Sequence, residues 1–97
     1  MYRHVSIFTL KEKENTETFI ALLKEVSEEA PSVVRYEIGR NFGKAPDGPG
    51  PDFGDIIQIL DFETIEDLNA WPATQEHIRL LREGPENEKV TAIDYEV

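Results

Sequence analysis

Two histidines are the only imidazoles in the chain, and the first, His4, lies in the alternating segment Tyr2-Arg3-His4-Val5-Ser6-Ile7-Phe8-Thr9-Leu10. Near the other end, Val90-Thr91-Ala92-Ile93-Asp94-Tyr95-Glu96-Val97 carries Asp94. If both segments are strands of one sheet, their parity puts His4 and Asp94 on one face, where the carboxylate favours the imidazolium and fixes its tautomer. The pair then reads either as an acid/base couple, with His4 and Asp94 as the candidate catalytic residues, or as a polar clasp between two strands. Ser6, Phe8, Ile56 and Gln58 are expected as ligand contacts, as are Leu68, Trp71, Thr74 and His77 from the second helical region. Trp71 offers a flat apolar ring with an N–H handle, or simply fills core. His77, one turn after Thr74, is either a second imidazole for the cleft or an exposed helix residue.

Other chemistries are excluded by what is missing. The absence of cysteine removes thiol catalysis and cysteine-ligated zinc. No two histidines are spaced as a metal pair, so neither a metal nor another cofactor is expected. Asp52-Phe53-Gly54 spells a kinase triplet but lacks the glycine-rich phosphate loop, strand lysine and catalytic-loop aspartate that give it meaning.

The elements that must position these residues follow from periodicity. Residues 2–10 read as a strand. From Thr16 to Ala30, the apolar Phe19, Leu22, Leu23, Val26 and Ala30 form one helical stripe, with Asn15 or Thr16 as cap and Pro31 as stop. Residues 33–42 alternate, with Val34, Tyr36 and Ile38 on one face, and residues 55–62 read as a buried strand. The stretch between them, residues 43–54, holds four of six glycines and three of six prolines, more turn chemistry than a hairpin needs. It is expected to be a lid or rim beside the cleft anchored by Phe53, or else a solvated connector. Thr64 caps a second helical region with Ile65 and Leu68 inward. Pro72 interrupts it, the pattern resumes with Thr74, Ile78 and Leu81 on one stripe, and Gly84-Pro85 stops it. Residues 90–97 are the last strand.

Strand, helix, strand, strand, helix, strand is the order of the ferredoxin-like βαββαβ arrangement, an α+β fold with a four-stranded antiparallel sheet and both helices on one side. Residues 1–97 are expected to be one domain. Parity suggests that Val5, Ile7, Tyr36, Ile38, Ile93 and Tyr95 face the helices. The far face then carries His4, Ser6, Phe8, Arg35, Glu37, Ala92 and Asp94, joined by Ile56, Gln58 and Leu60. Such a face is too apolar to stay wet, and a second copy packed sheet to sheet, enclosing a cleft, is the economical cover. A net charge of −10 repels phosphate backbones, so nucleic acid and anionic membranes are poor partners. No apolar run approaches bilayer length and no cleavage-site pattern follows the N-terminus, which makes the cytoplasm the expected location. The charge run Glu25 to Glu29 reads as solvated surface.

The chain resembles the stress-responsive dimeric α/β-barrel family, often called Dabb. The likeness rests on Arg3-His4-Val5 with Phe8-Thr9-Leu10-Lys11, on Tyr36-Glu37-Ile38-Gly39-Arg40-Asn41, on Trp71-Pro72-Ala73-Thr74 and on Ile93-Asp94-Tyr95-Glu96. It implies a dimeric α+β barrel of ferredoxin-like subunits, with relatives that include cofactor-independent cyclases similar to olivetolic-acid cyclase. The cyclases share a His-Pro-x-His motif with a tyrosine one turn earlier. Here the motif reads Trp71-Pro72-Ala73-Thr74 and the tyrosine position is Leu68, so the inherited proton-moving groups are replaced. The expectation is a homodimer that binds a small, partly apolar molecule in the barrel cleft without established catalysis. One rival is a cofactor-independent cyclase or monooxygenase using His4 and Asp94; another is a non-catalytic interaction or stability module.

Overall fold

The computed structural model describes residues 1–43 and 54–97. The expected lid, with Phe53, falls outside the described residues. Strand β1 (Tyr2–Leu10) leads through a single 3₁₀ turn into helix α1 (Thr16–Glu29). Strands β2 (Val33–Arg40) and β3 (Ile56–Phe62) follow, then α2 (Ile65–Ala70), a 3₁₀ turn over Trp71–Ala73, α3 (Gln75–Glu83) and β4 (Asn87–Glu96). The sheet runs β2-β3-β1-β4 with antiparallel neighbours throughout, the ferredoxin-like order.

Local signals account for most boundaries. Thr64 caps α2 as expected, its Oγ1 accepting from the Asp67 N–H at 3.1 Å. The expected side-chain cap at α1 is absent: the 3₁₀ turn feeds straight into the helix, and the Thr16 hydroxyl donates back to the Lys13 carbonyl. Strand β2 stops at Arg40 rather than residue 42, because Asn41 turns to close the base of the β2–β3 connection. Its backbone N–H donates to Asp55 O and its Nδ2 to Gly54 O, both at 2.9 Å. Gly54 has φ of +102°, and a Cβ there would sit 2.5 Å from Ile7 Cγ2, so glycine is required on both counts. Strand β4 begins three residues earlier than periodicity suggests, since Leu10 pairs with Asn87 across a register shift in β1.

The helices cover one sheet face with a core of Phe8, Leu10, Ile56, Leu60 and Phe62 beneath Phe19, Leu23, Val26, Leu68, Trp71 and Leu80. The face assignment drawn from sequence is therefore reversed for β1, β3 and β4. Tyr36 and Ile38 do face the helices, but His4, Ser6, Ala92 and Asp94 lie on that side too, in register with Leu60 and Gln58. The reason is that both parities of β1 are apolar. What decides is the layer at its end, where Phe8 meets the Phe19 ring edge-on at 5.0 Å. Val34 also departs from expectation. A bulge between Val33 and Arg35 turns Val33 inward and leaves Val34 exposed. The stripe of α3 is likewise rotated. Leu80 is buried, while Ile78 and Leu81 are 46% and 73% exposed, and Ile65 on α2 is half exposed. Starting α3 at the Thr74 cap sets that rotation.

The opposite sheet face has no covering element among the described residues. Val5 sits in register between Ile59 and Ile93, Ile7 beside Ile57, and Arg3 joins Asp61 at the end of the sheet. Arg79 holds α3 against α1, donating to Glu25 at 3.0 Å and Glu29 at 3.2 Å as well as to Glu83. The acidic run read as mere surface thus helps to place the helix that roofs the site.

Candidate functional site

Between the sheet and the α2–α3 segment lies a cavity of about 500 Å³. Phe8, Phe19, Trp71 and Leu80 supply apolar wall, while His4, Ser6, Gln58, His77 and Asn87 bring polar groups to it. The cleft is inside one chain, beneath its own helices, rather than between two sheets. A smaller cavity of about 130 Å³ adjoins His4, Leu68, Trp71 and Asp94.

β1 and β4 bring the proposed acid/base pair together as parity requires. His4 and Asp94 are direct cross-strand partners, and His4 Nδ1 lies 2.5 Å from Asp94 Oδ1. Ser6, two residues along the same strand face, places its Oγ 2.9 Å from His4 Nε2. Beside it Gln58, in register with Ser6, donates from Nε2 to Ser27 Oγ at 3.1 Å. Each member of this polar row thus has a hydrogen-bond partner, Asp94, His4 and Ser6 among themselves and Gln58 with Ser27, which is what lets it stay there. Sequence reading placed Ser6 in the cleft but missed its link to His4; the i, i+2 spacing on a strand was the available signal.

The other candidates divide. Trp71 lines both cavities, and His77 meets it edge-on with ring centroids 5.7 Å apart. Leu68 reaches only the smaller spaces. Ile56 is core and absent from the cavity wall. Thr74 is structural: its hydroxyl donates to Trp71 O at 2.7 Å and accepts from the His77 N–H at 3.2 Å, so it caps α3 instead of facing a ligand. Asn87 escaped the sequence reading because it was assigned to the connection before the last strand. His77 and Asn87 both line the cavity, but the side-chain atoms His77 Nδ1 and Asn87 Oδ1 are themselves buried without a close hydrogen-bond partner. Among the described residues no three His, Asp or Glu side chains converge as metal ligands.

Burial pushes the His77 imidazole below its ordinary value of 6.5; the Pro72 carbonyl opposes this, and the nearby His4 ring reinforces it. Below pH 6.5 the unfolded chain therefore binds a proton that the folded chain resists. The stabilisation is complete above 6.5 and is lost as pH falls through the lowered folded value. At Asp61 the Arg3 hydrogen bond outweighs desolvation and holds the carboxyl below 3.8, so its contribution is lost only in stronger acid. Urea midpoints measured from pH 7 to pH 5 are expected to fall more for the natural protein than for His77→Gln. Equal slopes would clear His77 as the source.

The family described as Stress responsive A/B Barrel Domain (Dabb) matches residues 2–97. Solved structures agree in fold. A Dabb family protein with a ferredoxin-like fold from Mesorhizobium loti is 23% identical, with a TM-score of 0.77 over 99% of this chain and 95% of its own. A dimeric ferredoxin-like protein of unknown function from Thermobifida fusca is 18% identical, with a TM-score of 0.76 over 99% and 90%. A hydroxynitrile lyase from Passiflora edulis is 17% identical, with a TM-score of 0.78 over 99% and 92%. No curated protein matches in sequence.

Proposed function

The chain belongs to the stress-responsive A/B barrel family, and on that premise we propose that it is a homodimer in which each copy binds a small, partly apolar molecule between its sheet and its α2–α3 segment. The observation that carries this reading is the cavity of about 500 Å³, within the ~300–1,000 Å³ range of small-molecule sites and built of apolar walls with a few polar groups. The polar side chains in its wall, His4, Ser6 and Gln58 with His77 and Asn87, favour a guest with a hydroxyl or carbonyl at one end of an apolar body. Dimerisation is supported by the uncovered apolar sheet face and by relatives described as dimeric. No described helix is long and apolar enough to cross a membrane, and the charge of −10 disfavours nucleic acid.

Protein purified without denaturation is expected to carry a retained small molecule by native mass spectrometry. The emptied protein is expected to bind the neutral dye Nile red near the single tryptophan, changing its emission. Ala92→Phe, which fills the cavity from β4, is expected to weaken dye binding at least about tenfold by removing apolar contact area. Dye binding unchanged by Ala92→Phe would place any ligand elsewhere.

The enzyme reading keeps one specific support, the His4–Asp94 pair. With Leu68 and Thr74 in place of the cyclases' tyrosine and histidine, and Thr74 committed to capping α3, cyclisation by the relatives' route is not expected here.

A further inference from the structure

The polar row under the cavity has a direction set by chemistry. Asp94, as a carboxylate, can only accept, so His4 Nδ1 carries the proton across the 2.5 Å contact. In the neutral ring this leaves the Nε2 lone pair for the Ser6 hydroxyl, whose Oγ lies 2.9 Å away. Carboxylate to Nδ1 and serine to Nε2 is the connectivity by which an imidazole takes the proton from an attacking serine, and it recurs on unrelated folds because geometry rather than chain order defines it. The arrangement is placed for use, since Ser6 and His4 both line the cavity. Asp94 stands outside that wall, in the smaller cavity and half exposed, where it can orient the ring without meeting a guest.

We propose that Ser6 is the nucleophile of an acyl-transfer site in this cavity, with His4 as general base and acid and Asp94 as positioning residue, acting on small esters or thioesters of apolar acids. Ser6 Oγ attacks the carbonyl carbon as its proton passes to His4 Nε2, forming the Oγ–C bond. The tetrahedral intermediate collapses with cleavage of the bond to the leaving oxygen or sulfur, which takes the proton from His4. Water then repeats the sequence on the acyl-serine, regenerating Ser6 and releasing the acid. Gln58 lies across from Ser6 on β3, and its amide nitrogen, which has two hydrogens, gives one to Ser27 and has the second for the developing oxyanion. Apolar walls at Phe8, Phe19 and Leu80 set the substrate class.

This proposal uses the binding cavity but fails separately from the binding reading. The test is covalent labelling of the whole protein by a small alkyl fluorophosphonate, read by intact mass and peptide mapping, with Nile red binding measured on the same samples. One adduct per chain on Ser6 is expected. Ser6→Ala should give none while keeping the natural protein's far-ultraviolet circular dichroism. His4→Gln should label at least about 10²-fold more slowly, the lower end of what a positioned base contributes. Asp94→Asn should slow labelling and Asp94→Glu should recover much of it, a rescue that loss of a merely structural clasp does not explain. An unlabelled protein that still binds Nile red, an adduct on another residue, or labelling indifferent to His4→Gln overturns the acyl-transfer proposal and leaves a binding protein. Loss of both labelling and dye binding defeats both readings.

Discussion

Ile59→Asp is expected to convert the dimer to a monomer, with the dimer dissociation constant raised by at least about 10³. Ile59 is on an interior strand of the uncovered face, in register with Val5, which is itself beside Ile93. In the isolated chain this side chain is only partly buried, so an aspartate there keeps contact with water in the monomer. In a two-fold dimer the same patch meets its own copy, so one substitution buries two carboxylates together. An unpaired buried charge costs several kcal/mol, and two like charges cost more. The face has apolar rows at its centre and charge toward its edges, where Arg3 pairs with Asp61 and lies 6.0 Å from the Tyr95 ring centroid. That is the layout of a stable interface, which needs about 1,200–2,000 Å² of total burial. Light scattering should give twice the chain mass for the natural protein and the chain mass for Ile59→Asp, with unchanged far-ultraviolet circular dichroism. A natural protein that is monomeric at micromolar concentration refutes the dimer. A variant that stays dimeric moves the interface to another surface.

That experiment depends on a face that sequence parity assigned wrongly, and the error is instructive. Element order and type were legible because Phe19, Leu23 and Val26 repeat at helical spacing, and because Thr64 and Pro72 punctuate the second helical region. The facing of β1 was not legible, because Val5 and Ile7 on one parity are as apolar as Phe8 and Leu10 on the other. A rule that sends polar residues outward then puts His4 and Ser6 on the wrong side. They are inside because they satisfy one another, through Asp94 at one end, and alternation carries no information about such mutual satisfaction. The same parity argument still brought His4 to Asp94, since register does not depend on which face is covered. Thr74 failed differently: the residue at a histidine's place in the related motif is used here to cap a helix, a role visible in the Thr-x-x-His spacing once the helix start is known. Ile78 and Leu81 were misplaced by taking them as one inward stripe with Thr74, whereas the helix that starts at the Thr74 cap turns Leu80 inward.

Trp71→Ala is expected to cost about 3–5 kcal/mol of stability, the range for removing a large aromatic from a core. Trp71 is 2% exposed at the junction of α2 and α3, with the Phe62 ring centroid 6.0 Å and the His77 ring centroid 5.7 Å from its own. Its position makes collapse of the resulting hole difficult. The cavity of about 500 Å³ and the one of about 130 Å³ both have Trp71 and His4 in their walls, so removing the indole joins them instead of letting neighbours close in. A domain of this size has about 5–15 kcal/mol of stability in all, so the loss should lower the melting temperature by roughly 15 °C or more at matched chain concentration. Trp71→Phe, which keeps a ring over Phe62, should lose much less. Nile red separates the packing role from a stacking role. If Trp71 chiefly builds the wall, Trp71→Ala at low temperature still takes up the dye in an enlarged space while unfolding at lower urea. If its main task is to stack on a guest, stability should barely change and dye affinity should fall. The deep burial of the indole and its contacts with two rings predict the first outcome.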